Sequence, residues 1–113
     1  MSEHMSHEEY VESVRKQAAE IASGILDGSV NVLEGSYKLF TLQREAEVDP
    51  NDKDFTTFLA IVSETDALPV GKVREHWSSE ALARLEPEIQ SATAWAMRLA
   101  TPACESIVRR FGV

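Results

Sequence analysis

Cysteine is all but missing from this chain. Cys104 stands alone among 113 residues, which excludes an intramolecular disulfide framework and fits a reducing compartment. Its apolar surroundings at helical spacing mark it as an inert, buried thiol. No apolar run approaches the roughly 18 residues that a membrane span needs. Met1 to Glu9 lack the basic-then-apolar order of a secretory signal, so a cytoplasmic location is expected. Paired cysteines at metal-ligand spacing, a Gly-rich phosphate loop, a nucleophile beside a base and basic stretches interleaved with aromatics are all wanting. No enzymatic activity, catalytic residue, cofactor, metal or nucleic-acid contact is therefore expected. Positive charge is scarce as well, with 11 Lys and Arg against 19 Asp and Glu and a net charge of −8. Residues 1–66 hold the whole excess, and from 67 onward the two signs nearly balance. Such a surface keeps a protein soluble, repels phosphate backbones and anionic membranes, and steers a basic protein toward it.

What is present is helical periodicity. The length suits a single domain, 1–113, that buries roughly two-thirds of its unfolded surface. Met1 to Met5 are expected to be unstructured, with His4-Met5 resembling a vector-derived remnant. Ser6 and Glu9 have capping-box spacing, and Tyr10, Val11, Val14, Ala18, Ile21, Ala22 and Ile25 then keep one face until Gly28. A first helix over 7–27 follows. Asn31 and Glu34 repeat the cap spacing at once, which predicts an antiparallel second helix buried through Val32, Leu33, Tyr37, Phe40 and Leu39. Gly35 inside it implies close approach of a neighbouring helix.

The acidic run Glu45 to Asp54 fails as a calcium loop, because counting from Asp49 places Asp54 at position 6 and Ala60 at position 12, where Gly and Glu are required. A loop closed by Pro50 and a helix capped by Asn51 or Asp52 explains it. That third helix, about 53–63, carries Phe55, Phe58, Leu59, Ile61 and Val62 around so much of its circumference that it should be the most buried.

The chemistry of Ser63 to Trp77 exceeds what packing needs. Pro69 and Gly71 force a turn, and Val70, Val73 and Trp77 suit one short helical turn against the core. Glu64, Asp66, Arg74, Glu75 and His76 are left over, and three readings stand. Arg74 pairs with Glu64 or Asp66 as a clamp, His76 is solvated, and the Trp77 indole N–H meets a carbonyl. Alternatively Glu64, Asp66, Arg74, Glu75, His76 and Trp77 form a recognition patch for a partner. The weakest reading is a metal or acid–base site on His76 and the carboxylates, whose spacing is not that of ligands.

The run Ser63-Glu64-Thr65-Asp66, then Leu68-Pro69-Val70-Gly71, Val73-Arg74, His76-Trp77 and Ala81-Leu82-Ala83, resembles a family of small uncharacterised bacterial proteins. Val14 to Ala18, Gly24 to Gly28 and Cys104 share the likeness, which thus covers most of the chain. The resemblance implies a bacterial cytoplasmic origin and assigns no activity or residue role.

The strongest signal runs from Leu82 to Phe111. Leu82, Leu85, Ile89, Ala92, Ala96, Leu99, Ala100, Ala103, Cys104, Ile107, Val108 and Phe111 form one stripe behind a cap at Ser78 or Ser79. As a single rod, 79–111 would span about 50 Å, whereas a compact chain of this size is nearer 35 Å across. Pro87 and Pro102 are the places for a kink, or Thr101 caps a fresh helix. If neither proline bends the rod, the overhang must meet a second chain as a homodimer. The fold class expected is all-α, an antiparallel bundle of four to five helices with a long, proline-kinked C-terminal helix. The expected role is binding another, basic protein as an immunity-like or accessory factor. The competing expectation is a small-molecule pocket lined by Tyr10, Tyr37, Trp77 and Trp95, with Arg74 holding an acidic group.

Overall fold

A computed structural model describes residues 6–112, and the expectation for Met1 to Met5 lies outside the described residues. Ser6 caps the first helix in a complete capping box, its hydroxyl accepting from the Glu9 N–H while the Glu9 carboxylate accepts from the Ser6 N–H. That helix, α1, runs His7–Asp27 and ends at Gly28, whose φ of 86° is the left-handed conformation that glycine adopts without strain. Asn31 takes the N–H groups of Leu33 and Glu34 to start α2, Val32–Leu42. Asp52 does the same for Asp54 and Phe55 at the head of α3, Lys53–Thr65. After a 3-10 segment over Gly71–His76, Ser78 caps α4, Ser79–Phe111. The described residues contain no strand, so the chain is all-α. None of these helices is long and apolar enough to cross a membrane.

The core is one cluster fed by all four α-helices. Small residues let α1 and α4 approach: Ala18 and Ala22 face a seam of Ala96, Ala100, Ala103 and Cys104. The bulk is supplied by α3, whose Phe55 and Phe58 rings meet edge to face at 6.5 Å and 72°. Gly35 does sit at a close approach. A Cβ there would lie 2.6 Å from Ile25 Cδ1, so α2 can rest on α1 only with no side chain at that point.

Several expected packing positions are corrected. The inward face of α2 is Val32, Leu33, Gly35, Ser36 and Leu39, which rotates Tyr37 out to 58% exposure. On α3, Leu59 and Ala60 face solvent, because α2 and α4 cover only the side bearing Phe55, Phe58 and Ile61. Leu99 is 39% exposed on α4 while its neighbours Ala96, Ala100 and Ala103 are buried. At about 100° per residue, Leu99 lies at the margin of the arc that Ala96, Ala100, Ala103 and Ile107 turn to the core.

Neither proline ends α4. Pro87 and Pro102 are exposed, as are Ala83 and Arg98, the residues whose carbonyls lose an intrahelical donor to the prolines. Thr101 opens no new helix; its hydroxyl donates back to the Met97 carbonyl at 2.7 Å. The molecule measures 53 × 30 × 25 Å, its long axis matching the length of α4 rather than the compact diameter expected. Fully buried residues of α4 begin only at Ile89; before it, Ala81, Leu82 and Leu85 are half-buried beside the loop at Ala67-Leu68 and Trp77.

Candidate functional site

The stretch from Ser63 to Trp77 leaves α3 as follows. The Thr65 hydroxyl donates to the Ile61 carbonyl at 2.7 Å, Pro69 is fully buried and Val70 packs on the core. These anchors hold the chain down at 69–70. Beyond them the 3-10 segment buries nothing, with Val73 54% exposed. A 3-10 turn eclipses side chains three apart, so Val70 and Val73 share one edge, and only the first of them reaches the core. The expected turn is present, and the expected burial of Val73 and Trp77 is not.

Glu64, Asp66, Glu75 and His76 are exposed and Arg74 is half-buried. Arg74 forms no ion pair with Glu64 or Asp66, so the expected clamp is not formed. Trp77 is 37% exposed, its backbone N–H bonded to the Arg74 carbonyl at 3.1 Å, and its indole N–H finds no partner among the described residues. No three His, Cys, Asp or Glu side chains of the described residues are disposed to hold a metal. No ion pair joins the six candidate residues. Asp66 stands at the mouth of a cavity, and Trp77 stands at a separate groove.

The cavity, of about 440 Å³, opens between α2, the end of α3 and the 3-10 segment. Its walls are apolar, Leu33, Tyr37, Val62, Leu68, Val70 and Val73, and its mouth carries Glu34, Lys38, Asp66 and Lys72. These four charged side chains form no ion pair. The one buried polar side chain in the lining, Thr65, donates its hydroxyl to its own helix. The second groove lies between the loop at Ala67-Leu68, Trp77 and the start of α4, at Ala81 and Leu85.

The four aromatics expected in one pocket are dispersed. Tyr10 donates its hydroxyl to Glu45 at 2.5 Å, a bond that holds its own proton above the usual phenol range. Tyr37 walls the cavity, Trp77 the groove, and Trp95 packs against the core. Leu33, Tyr37, Val62, Val70 and Val73 escaped the sequence as a group, because each reads as a core position on its own element. The spacing of Leu33 and Tyr37, four apart on α2, was the one available sign that both share a face.

Two further clusters fasten the opposite end of the bundle. The loop after α2 is pinned to α1 by the His7–Glu47 pair and by the Arg15 guanidinium donating to the Ala46 carbonyl at 2.8 Å. Arg110 and Ser106 of α4 reach Asp52 and Asp54 at the head of α3. Burial by itself would raise the Asp52 carboxyl, and the Arg110 bonds with the N–H groups of Phe55 and Asp54 outweigh it, leaving it below its ordinary value. These contacts are spent within the fold. No protein-family model, curated protein or solved structure matches this chain.

Proposed function

We propose that this chain works by binding another protein, a basic one, as an immunity-like or accessory factor of the bacterial cytoplasm. The observation that carries this reading is the open cavity of α2, α3 and the 3-10 segment, where Tyr37 and Val73 present more than half their surface beside unpaired Glu34 and Asp66. Exposed aromatic and aliphatic groups around a concave floor take a protruding side chain of a partner, and the charged mouth sets its register. Asp66 belongs to this mouth, and Glu64, Arg74, Glu75, His76 and Trp77 remain candidate partner contacts outside it. The net charge of −8 supplies the long-range attraction for a basic partner. A benzophenone amino acid in place of Tyr37 tests this in cells of the source organism. The expected result is a crosslink to one basic protein, weakened by salt. Crosslinks identical to those from the same probe at exposed Leu26 on α1 would overturn it.

A second reading places an apolar small molecule in the same cavity, whose volume falls in the range of ligand sites, about 300–1,000 Å³. It rests on volume alone, since no buried polar group is available to orient such a ligand. A panel of apolar compounds that raises the melting temperature of the wild type but not of a Val62→Trp variant supports it; no shift with any compound removes it.

A further inference from the structure

At the mouth of the cavity the Glu34 carboxylate is placed but unneutralised. Glu34 sits in the first turn of α2, one turn before Lys38, and an acid followed four residues later by a lysine is the pairing that an exposed helix favours. The pair is not formed. The carboxylate instead reaches from α2 to the start of the 3-10 segment, where a Cβ on Gly71 would lie 2.6 Å from its Oε1. Gly71, with a φ of 66°, has no side chain to keep it off. The neighbouring Lys72 does not pair with it either, so among the described residues this anion has no ion-pair partner.

The end of α3 adds to this charge. Val62, Thr65 and Asp66 bring its last turn into the cavity lining, and the final carbonyls of a helix carry the negative end of its dipole. A lysine or arginine in that turn is the ordinary complement; α3 has none there and carries Glu64 and Asp66 instead. A local choice that works against its own helix is expected where function requires it. Lys38 and Lys72 also border the mouth, but both are exposed, and their long stems let the ammonium groups turn to solvent. Beneath this edge the walls are apolar, Leu33, Val62, Leu68 and Val70, and the exposed Tyr37 ring flanks them. An apolar floor under a negative edge, with an aromatic ring beside it, is complementary to a long aliphatic side chain that ends in a cation. On the footing that the cavity docks a basic protein, we propose that the side chain entering it is itself the cation. It is a lysine or arginine of the partner, its stem against Leu33, Val62 and Val70 and its head on Glu34.

Probes that share one hexyl chain isolate the charge of the head group: hexylammonium, hexylguanidinium, hexanol and hexanoate, titrated into the intact protein and followed by the amide shifts of Val62 and Val70. The expected order places the better of the two cations about threefold ahead of hexanol, the worth of one exposed charge pair, with hexanoate last. Whichever cation binds more tightly names the partner residue as lysine or arginine, and either supports the proposal. In Glu34→Gln, which keeps the side-chain length at an exposed position, the cations and hexanol should bind alike. Val62→Trp, which fills the cavity, should abolish the shifts with every probe. Cations that bind the wild type no better than hexanol overturn the proposal, as does a cation preference that survives in Glu34→Gln, or binding of no probe at all. Failure of docking itself is told apart by the Tyr37 crosslink. A single basic partner captured there leaves docking in place when the probes show no preference for a cation, whereas loss of that capture removes docking, and a partner lysine or arginine with it, whatever the probes do.

Discussion

Arg110 on α4 grips the carboxylate of Asp52, the cap of α3, with Nη1 3.1 Å from Oδ1 and Nη2 2.7 Å from Oδ2. The residues are 58 positions apart in the chain, and the two-pronged bond joins the start of one core helix to the end of another. Its loss in Arg110→Met should lower stability by about 1 kcal/mol, the ordinary worth of a charge-assisted pair discounted for an arginine that is partly exposed. Urea unfolding measures it.

The same pair sets a pH dependence. The folded Asp52 carboxyl titrates below the ordinary aspartate value of about 3.9. Its contribution is therefore complete above that value and is lost as the pH falls through the lower, folded one. The stability gap between wild type and Arg110→Met should stay level from about pH 5 to about pH 8 and close below about pH 4. Urea midpoints across that series check the sign.

Gly35→Ala should destabilise, although alanine is the better helix former by about 1 kcal/mol. The added Cβ would meet Ile25 Cδ1 at 2.6 Å and Cγ1 at 2.7 Å, and Ile25 is itself fully enclosed by the core. A net loss of about 1–2 kcal/mol is expected, typical of overpacking. Trimming the neighbour in Gly35→Ala with Ile25→Val should recover part of it, and a double-mutant cycle reads the coupling directly.

Ser36→Ala should be neutral or stabilising by up to about 1 kcal/mol. The Ser36 hydroxyl is buried on α2 without a hydrogen-bond partner, so its removal sacrifices no bond and ends a desolvation penalty. Thermal melts of the two proteins side by side suffice.

Cys104 should resist thiol reagents in the native protein. It is enclosed by the α1–α4 seam, and burial, helped by the negative charges of Asp54 and Glu105, pushes its thiol up to about 12. Labelling with an aromatic disulfide near pH 8 should then proceed at the rate of unfolding rather than that of a free thiol, and stopped-flow absorbance follows it.

Local rules account for how much was legible. The boundaries of α1, the caps at Ser6, Asn31, Asp52 and Ser78, and the close approach at Gly35 follow from contacts within a few residues or from a single missing side chain. The face of α2 was less readable. Leu33, Ser36 and Tyr37 lie within one turn of each other, and periodicity alone does not choose between a buried serine and a buried tyrosine. The absence of the Arg74 clamp was hidden for a similar reason: Arg74 is close in sequence to Glu64 and Asp66, but closeness along the chain across the buried Pro69 and the 3-10 turn does not make an ion pair. Arg110 with Asp52, and Tyr10 with Glu45, were out of reach because pairs 58 and 35 positions apart leave no mark on local spacing.

The sequence alone determined that this chain is helical, where its helices begin, and that the excess negative charge rides on the first two-thirds, because capping, periodicity and composition act over a few residues at most. Tertiary structure decided which of the apolar side chains stay outside. How far α1, α2 and α3 reach along α4 is a matter of how four rods of unequal length fit around one core. That fit buries the seam from Ile89 onward, covers Leu82 and Leu85 only in part, and opens the cavity beside Tyr37.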